Sequence, residues 1–117
     1  MRKYIELESN AGGFTHLKAE TYYHLGNSTE YRNSHAFRGY YLSVTPVTRE
    51  NKYGYVLETI TAFTGLRTLV KPVNRKSTKA EASAEAAAEK LLCDLVQEVC
   101  NKNGLPIPAA FAPLEVQ

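Results

Sequence analysis

One long helix near the C-terminal end constrains the fold of this 117-residue chain more than any other feature. Thr78, followed three residues later by Glu81, predicts a capping box that satisfies free backbone donors at the helix start. Asn103 and Gly104 predict the helix end, and Pro106 prevents its continuation. Such a helix is roughly 37 Å long, and its one apolar stripe needs another element to cover it. The stripe consists of Ala84, Ala88, Leu91, Leu92, Leu95 and Val99.

Alternation of side-chain type before this helix predicts β-strands. Residues 4–8 alternate, residues 9–13 are typical of a turn, and residues 15–25 alternate again. Period two over these segments predicts an N-terminal β-hairpin. A helix over residues 15–25 stays an alternative, because residues 17–20 are good helix formers.

Three further strands are predicted at residues 39–47, 55–63 and 66–73, which are rich in aromatic and β-branched side chains. Together they predict an antiparallel meander. Pro46 lacks a backbone donor, so we expect it on an edge strand or at the end of its strand. The predicted connections are the loop at 28–38, the hairpin loop at 49–52 and the tight turn at 64–65.

These elements predict a single α+β domain over residues 1–104. It comprises an antiparallel sheet of four or five strands, made of the N-terminal hairpin and the three-stranded meander, packed on one long C-terminal helix. Residues 105–117 form a Pro-rich apolar tail. We expect this tail to fold back onto the helix, with docking on another subunit as the alternative.

The cysteines and the N-terminal sequence predict a soluble cytoplasmic protein. Cys93 and Cys100 lie seven residues apart on the predicted helix, roughly 10 Å along its axis, which is too far for a disulfide. Two reduced thiols agree with a reducing compartment. Residues 1–3 are not followed by the apolar segment of a signal peptide, and no apolar run is long enough to span a membrane.

Catalytic and metal-binding residues are scarce. Asp94 is the sole aspartate, which disfavours magnesium-dependent phosphoryl transfer. His16 and His24 are about 26 Å apart in an extended strand, and His35 is isolated, so no zinc site is predicted. No nucleotide-binding or hydrolase motif occurs. We therefore expect a non-catalytic protein without a metal or cofactor.

The charge distribution points to a polyanionic partner. Residues 59–80 carry five basic side chains and no carboxylate, although the net charge of the whole chain is only +2. A predicted helix start within this segment adds partial positive charge and free N–H groups, which suit phosphate. Arg67 and Lys71 are four apart on a predicted strand, so we expect them to share one face. The candidate nucleic-acid-binding residues are Arg67, Lys71, Arg75, Lys76 and Lys79, with Tyr40 and Tyr41 as candidate stacking residues.

The segment from Arg75 through Ser77, Thr78 and Lys79 into the alanine-rich helix resembles the last part of a double-stranded-RNA-binding domain. In that family a meander leads into a lysine-bearing helix whose start sits over phosphates. The similarity covers residues 75–92. That family opens with a helix, where this sequence predicts a hairpin, and we do not assign the chain to it.

A protein-interaction module is the competing prediction. Glu81, Glu85 and Glu89 recur every four residues and form a like-charge ridge along the helix. A solvated helix face is the usual reason for such a ridge, and a basic protein partner is the other. The apolar tail, for example Phe111, would then anchor the partner, or an edge strand would support a homodimer.

Overall fold

The described residues of the computed structural model form an antiparallel sheet with one long helix on one face, so the predicted α+β class is confirmed. The structure describes residues 1–8, 13–26, 37–52, 55–60 and 65–112, and for residues 50–52 and 55–60 the backbone alone. The elements are β1 (Arg2–Glu6), β2 (His16–His24), β3 (Gly39–Lys52), β4 (Tyr55–Ile60), β5 (Leu66–Pro72), α1 (Thr78–Asn103) and a short 3-10 helix (Ala109–Phe111).

The N-terminal hairpin is present. β1 pairs antiparallel with β2, from Arg2 opposite Glu20 to Glu6 opposite His16. The segment for which a helix was the alternative is therefore a strand. β2 in turn pairs antiparallel with the first part of β3, which places β3 at the centre of the sheet.

The strands β4 and β5 lie end to end along the edge of β3 that faces away from β2. β4 pairs with β3 up to Ile60 opposite Val47, and β5 resumes the pairing at Leu66 opposite Val44. The predicted meander was therefore wrong in one pairing, since β5 pairs with β3. Because β4 and β5 are both antiparallel to β3, they run in the same direction, and no reversal of the chain separates them at Gly65, which lies against β3. A Cβ on Gly65 would approach the Val44 carbonyl oxygen to 2.8 Å.

Pro46 explains where this edge is interrupted. The Val47 carbonyl accepts a hydrogen bond from Thr15 on the β2 side, so the neighbouring Pro46 backbone faces the β4–β5 side. Its missing N–H therefore falls in the gap between the two ladders. Pro46 is fully buried in the middle of β3, contrary to the expected place at an edge or strand end.

One predicted connection is part of a strand instead. Residues 49–52, expected as a hairpin loop, belong to β3. Other predicted segments lie outside the described residues. These are the turn at 9–12, the loop at 28–36, the strand end at 61–63, Thr64, and the tail from residue 113 onward.

The N-cap of α1 lies one residue earlier than predicted. Ser77 is the N-cap, and its hydroxyl oxygen accepts a hydrogen bond of 3.0 Å from the Ala80 N–H. The predicted Thr78–Glu81 capping box was therefore wrong. Gly104 ends the helix in a left-handed conformation, as predicted, and the Leu105 N–H closes the end on the Cys100 carbonyl.

The core lies between α1 and one face of the sheet. Leu91, predicted in the apolar stripe, is 38% exposed, whereas Val96, which was not predicted in the stripe, is buried. The described part of the tail, residues 105–112, folds back as expected: Leu105 is buried, and Ile107 and Phe111 pack against the core. The remaining sheet face, which we call the outer face, points away from α1. The buried cluster contains Leu7, Leu17, Ala19, Leu42, Val44, Ala88, Leu92, Leu95, Val96, Val99, Cys100 and Leu105.

Within the described ranges, no helix combines the length and the apolar character that crossing a bilayer requires.

Candidate nucleic-acid interface

The connection between β5 and α1 presents a run of exposed polar and basic side chains. Residues 74–79 are all exposed, and Arg75 and Lys76 precede the N-cap Ser77. Ser77 has extended backbone dihedral angles, with φ of −154° and ψ of 155°. The helix then turns Lys79 back toward β5. This segment therefore holds three of the five predicted basic residues at one end of the molecule.

Lys71 joins these residues because β5 contains a bulge. The β3–β5 register shifts between Tyr40 and Tyr41, so Val70 is an extra residue on β5. This shift turns Lys71 to the helix side of the sheet. There Lys71 and Lys79 line a shallow depression of about 230 Å³ together with Ser77, Ala80 and Ser83. We call Lys71, Arg75, Lys76 and Lys79 the helix-start cluster.

The helix-start cluster has few compensating charges. Among the residues that the structure describes, none of its four side chains takes part in a salt bridge. The first turn of α1 contains one acidic residue, the exposed Glu81. The cluster is therefore a local concentration of positive charge that attracts anions.

Arg38 is a further basic residue next to the helix-start cluster, and it was not predicted among the binding residues. Its Nε donates a hydrogen bond of 3.0 Å to the Leu25 carbonyl, and its Nη1 donates one of 3.4 Å to the Asn74 carbonyl. Arg38 thus links the end of β2 to the segment before α1. The position of Arg38 follows from the β3–β5 pairing, because the next residue, Gly39, lies opposite Pro72 near the start of α1.

Arg67 lies on the outer face, away from the helix-start cluster. Arg67 pairs with Ser43, whose side chain points to the outer face, whereas Lys71 pairs with Tyr40, whose side chain points to the helix side. The expectation that Arg67 and Lys71 share one face was therefore wrong, because the bulge at Val70 reverses the alternation. Arg67 donates a hydrogen bond to the Tyr22 hydroxyl; burial nevertheless raises the pKa of Tyr22 above its usual value.

The candidate stacking residues Tyr40 and Tyr41 are buried, with 4% and 5% of their surface exposed. Tyr40 packs edge-on against Tyr23, with ring centroids 5.2 Å apart, and Tyr41 stacks on Tyr22 at 5.9 Å. Because both rings are used inside the domain, neither presents a face to a nucleobase. Tyr23 is half-buried instead, and Lys76 lies over its ring with Nζ 5.9 Å from the centroid.

The acidic ridge on α1 is used largely within the chain. Glu85 accepts hydrogen bonds from the Met1 amino group and the Thr21 hydroxyl, and Glu89 pairs with Lys3 at 2.9 Å. Burial opposes ionisation of Glu85, but these donors outweigh it and hold the pKa of Glu85 below its usual value. Glu85 and Glu89 therefore stabilise the packing of β1 and β2 against α1.

The tail is held on α1 by polar contacts as well as by packing. The Phe111 carbonyl accepts a hydrogen bond of 2.8 Å from Gln97 Nε2, and the Cys93 thiol lies 3.6 Å from the same oxygen. Gln97 therefore faces the tail. Both cysteines are free, and burial raises the pKa of the Cys100 thiol.

The described ranges contain no group of three histidine, cysteine, aspartate or glutamate residues that could hold a metal ion. His16 Nδ1 lies 2.7 Å from the Thr15 hydroxyl, and Tyr4 packs edge-on against the His16 ring. Arg49 lies over the Tyr4 ring at 3.6 Å. His16 therefore lies on the outer face of the sheet, in contact with Thr15 and Tyr4.

Comparison with models of known protein families, with curated protein sequences and with solved structures finds no match for this chain. The β1–β2 hairpin also stands where the double-stranded-RNA-binding domain has its first helix. A function for this chain must therefore be inferred from its own geometry.

Proposed function

We propose that this protein is a non-catalytic accessory protein that binds the nucleic-acid backbone through the helix-start cluster. The observation that supports the proposal is that Lys71 and Lys79 line one depression and that the exposed Arg75 and Lys76 lie in the short segment between them. Among the described residues, none of the four takes part in a salt bridge. Such a site suits the cytoplasm, which two free thiols also favour.

Phosphate is the ligand chemistry that fits these side chains. Each lysine or arginine that neutralises a phosphate releases condensed counterions, which makes binding depend on salt. Four contacts predict a slope of about −3.6 in log affinity against log salt for a duplex and about −2.8 for a single strand. The five residues of the sequence prediction would give about −4.5 on a duplex. Leaving out Arg67 therefore changes the expected slope.

A titration of labelled single-stranded and duplex oligonucleotides by fluorescence anisotropy tests the proposal. Starting at about 50 mM salt, a fourfold increase in salt is expected to weaken binding roughly 50- to 150-fold. The double variant Lys76→Gln/Lys79→Gln should lower the magnitude of the slope by about 1.4 to 1.8. Lys90→Gln/Lys102→Gln is the matched control, because it removes the same charge from exposed positions farther along α1.

No binding to either nucleic acid at about 50 mM salt would contradict the proposal, because non-specific phosphate binding is strongest at low salt. Equal slopes for the two double variants would contradict the assignment to the helix-start cluster. The thermal unfolding of each variant shows whether a loss of affinity reflects a loss of fold.

The alternative function, a protein-interaction module, has less support from the geometry. Glu85 and Glu89 already bind groups of β1 and β2, and Phe111 packs against the core. Edge pairing is opposed by the short, charged β1 and by the bulge and proline in β5. Of the predicted ridge, Glu81 alone is left as an exposed carboxylate without a described partner.

A further inference from the structure

Tyr23 lies beside the helix-start cluster on the helix side of the sheet. It is the penultimate residue of β2 and stands opposite Tyr40 in the β2–β3 ladder. The buried Tyr40 ring contacts the Tyr23 ring at an interplanar angle of 64°, which supports it from one side. Tyr23 itself keeps part of its surface exposed. The ring is thus an oriented aromatic surface at the end of the sheet.

One cation lies over this aromatic surface, and a second connects the chain segments next to it. Lys76, an exposed side chain, lies over the Tyr23 ring, and Arg38 holds the neighbouring Leu25 and Asn74 carbonyls. The ring and the two cations come from β2, the residue before β3 and the segment before α1, and the two hydrogen bonds of Arg38 connect these segments. A site that is ordered before binding loses less conformational entropy when a ligand arrives.

A nucleotide with an unpaired base matches this arrangement. In a duplex the base faces are stacked inside the helix, whereas a single strand can turn a base onto an aromatic ring. The phosphates beside that base would then lie near Lys76 and the rest of the helix-start cluster. A lysine chain is flexible, so Lys76 can leave the ring face for a phosphate when a base takes its place.

We propose that the helix-start cluster takes single-stranded nucleic acid, with one base stacked on Tyr23. This inference depends on the proposed function and adds to it a stacking contact that only an unpaired base can make. The neighbouring Tyr22 does not offer the same site, because its ring is stacked on Tyr41 at an interplanar angle of 17° and its hydroxyl binds Arg67.

Anisotropy titrations with labelled oligothymidylate and with a duplex, at about 50 mM salt, test the inference on the full chain. Tyr23→Leu should weaken binding of the single strand roughly 5- to 150-fold, which corresponds to the stacking contribution of one base, and should leave the duplex unchanged. Tyr23→Phe keeps the ring and should bind like the unmodified protein. Tyr22→Leu, on the adjacent residue and the other sheet face, is the matched control.

An equal loss for both nucleic acids, or a larger loss in Tyr22→Leu, would overturn the stacking role of Tyr23. If Tyr23→Leu does not fold, ring-proton NMR shifts of the unmodified protein decide the matter. The Tyr23 ring signals should move on addition of oligothymidylate, and unchanged signals in a bound complex would overturn the inference.

The two proposals fail in different ways. A Lys76→Gln/Lys79→Gln effect on both nucleic acids, without an effect of Tyr23→Leu on the single strand, contradicts the stacking inference and supports the helix-start cluster. Absence of binding to both nucleic acids contradicts the proposed function and the inference that depends on it.

Discussion

Ser77 and Glu85 show how single side chains fix the position of α1. Ser77 accepts a hydrogen bond from the Ala80 N–H and so caps the first turn of α1. Glu85, about two turns farther along, accepts hydrogen bonds from the Thr21 hydroxyl and the Met1 amino group. The first contact sets where the helix begins, and the second sets how its first half meets the sheet.

Glu85→Gln is expected to destabilise the fold at neutral pH. The folded protein holds the pKa of Glu85 below its usual value of 4.5, so its carboxylate stabilises the fold above that pH. The contribution is lost as the pH falls through the lower, folded-state pKa. We expect a loss of about 1 kcal/mol, because the side chain is 34% exposed and solvent weakens the hydrogen bonds.

Chemical denaturation of the two proteins at neutral pH and in acid measures this effect. The difference in unfolding free energy should be present at neutral pH and should shrink below pH 4.5. Glu81→Gln is the control from the same ridge, since Glu81 is exposed. A difference that grows in acid would contradict the assigned role of Glu85.

At the scale of the element, the sequence predicted the helix and strands well because their periodicity depends on local side-chain order. The apolar stripe on α1 and the alternation of β2 are both present in the fold. The N-cap and the facing of β5 were missed for different reasons. Ser77 and Thr78 are both good caps, so choosing between them depends on the entry angle of the chain.

The bulge at Val70 was not predicted from the sequence, and it has the largest effect on the site because it puts Arg67 and Lys71 on opposite faces. It depends on how closely β3 and β5 approach, which alternation within β5 does not reveal. Gly39 is the local signal, since a Cβ there would lie 2.3 Å from the Lys71 carbonyl oxygen. Only after β5 is paired with β3 does that glycine become informative, because it permits the close approach at the bulge.

The returning tail leads to a prediction about stability. Leu105→Ala should destabilise the protein by about 2 to 5 kcal/mol, because Leu105 is 7% exposed and packs in the core. Leu91→Ala should cost less than about 1 kcal/mol, because Leu91 is 38% exposed. Urea denaturation of both variants measures the contrast. A larger loss for Leu91→Ala would mean that the tail does not complete the core.

At the scale of the whole molecule, the fold divides the acid-free segment between two faces. Residues 59–80 form one basic block in the sequence, but the structure places Arg67 on the outer face and the helix-start cluster beside α1. It also adds Arg38, from outside that segment, to the same end. The α+β class followed from the sequence, whereas the grouping of the basic residues required the sheet register.

The measurement that tests this account most directly compares Arg75→Gln with Arg67→Gln in oligonucleotide binding as a function of salt. Each variant removes one positive charge, so net charge alone predicts equal effects. We expect Arg75→Gln to reduce the magnitude of the duplex salt slope by about 0.9 and to weaken binding about tenfold at roughly 50 mM salt. Arg67→Gln should leave both the slope and the affinity nearly unchanged. Equal losses in the two variants, or a larger loss for Arg67→Gln, would contradict the assignment of phosphate binding to the helix-start cluster.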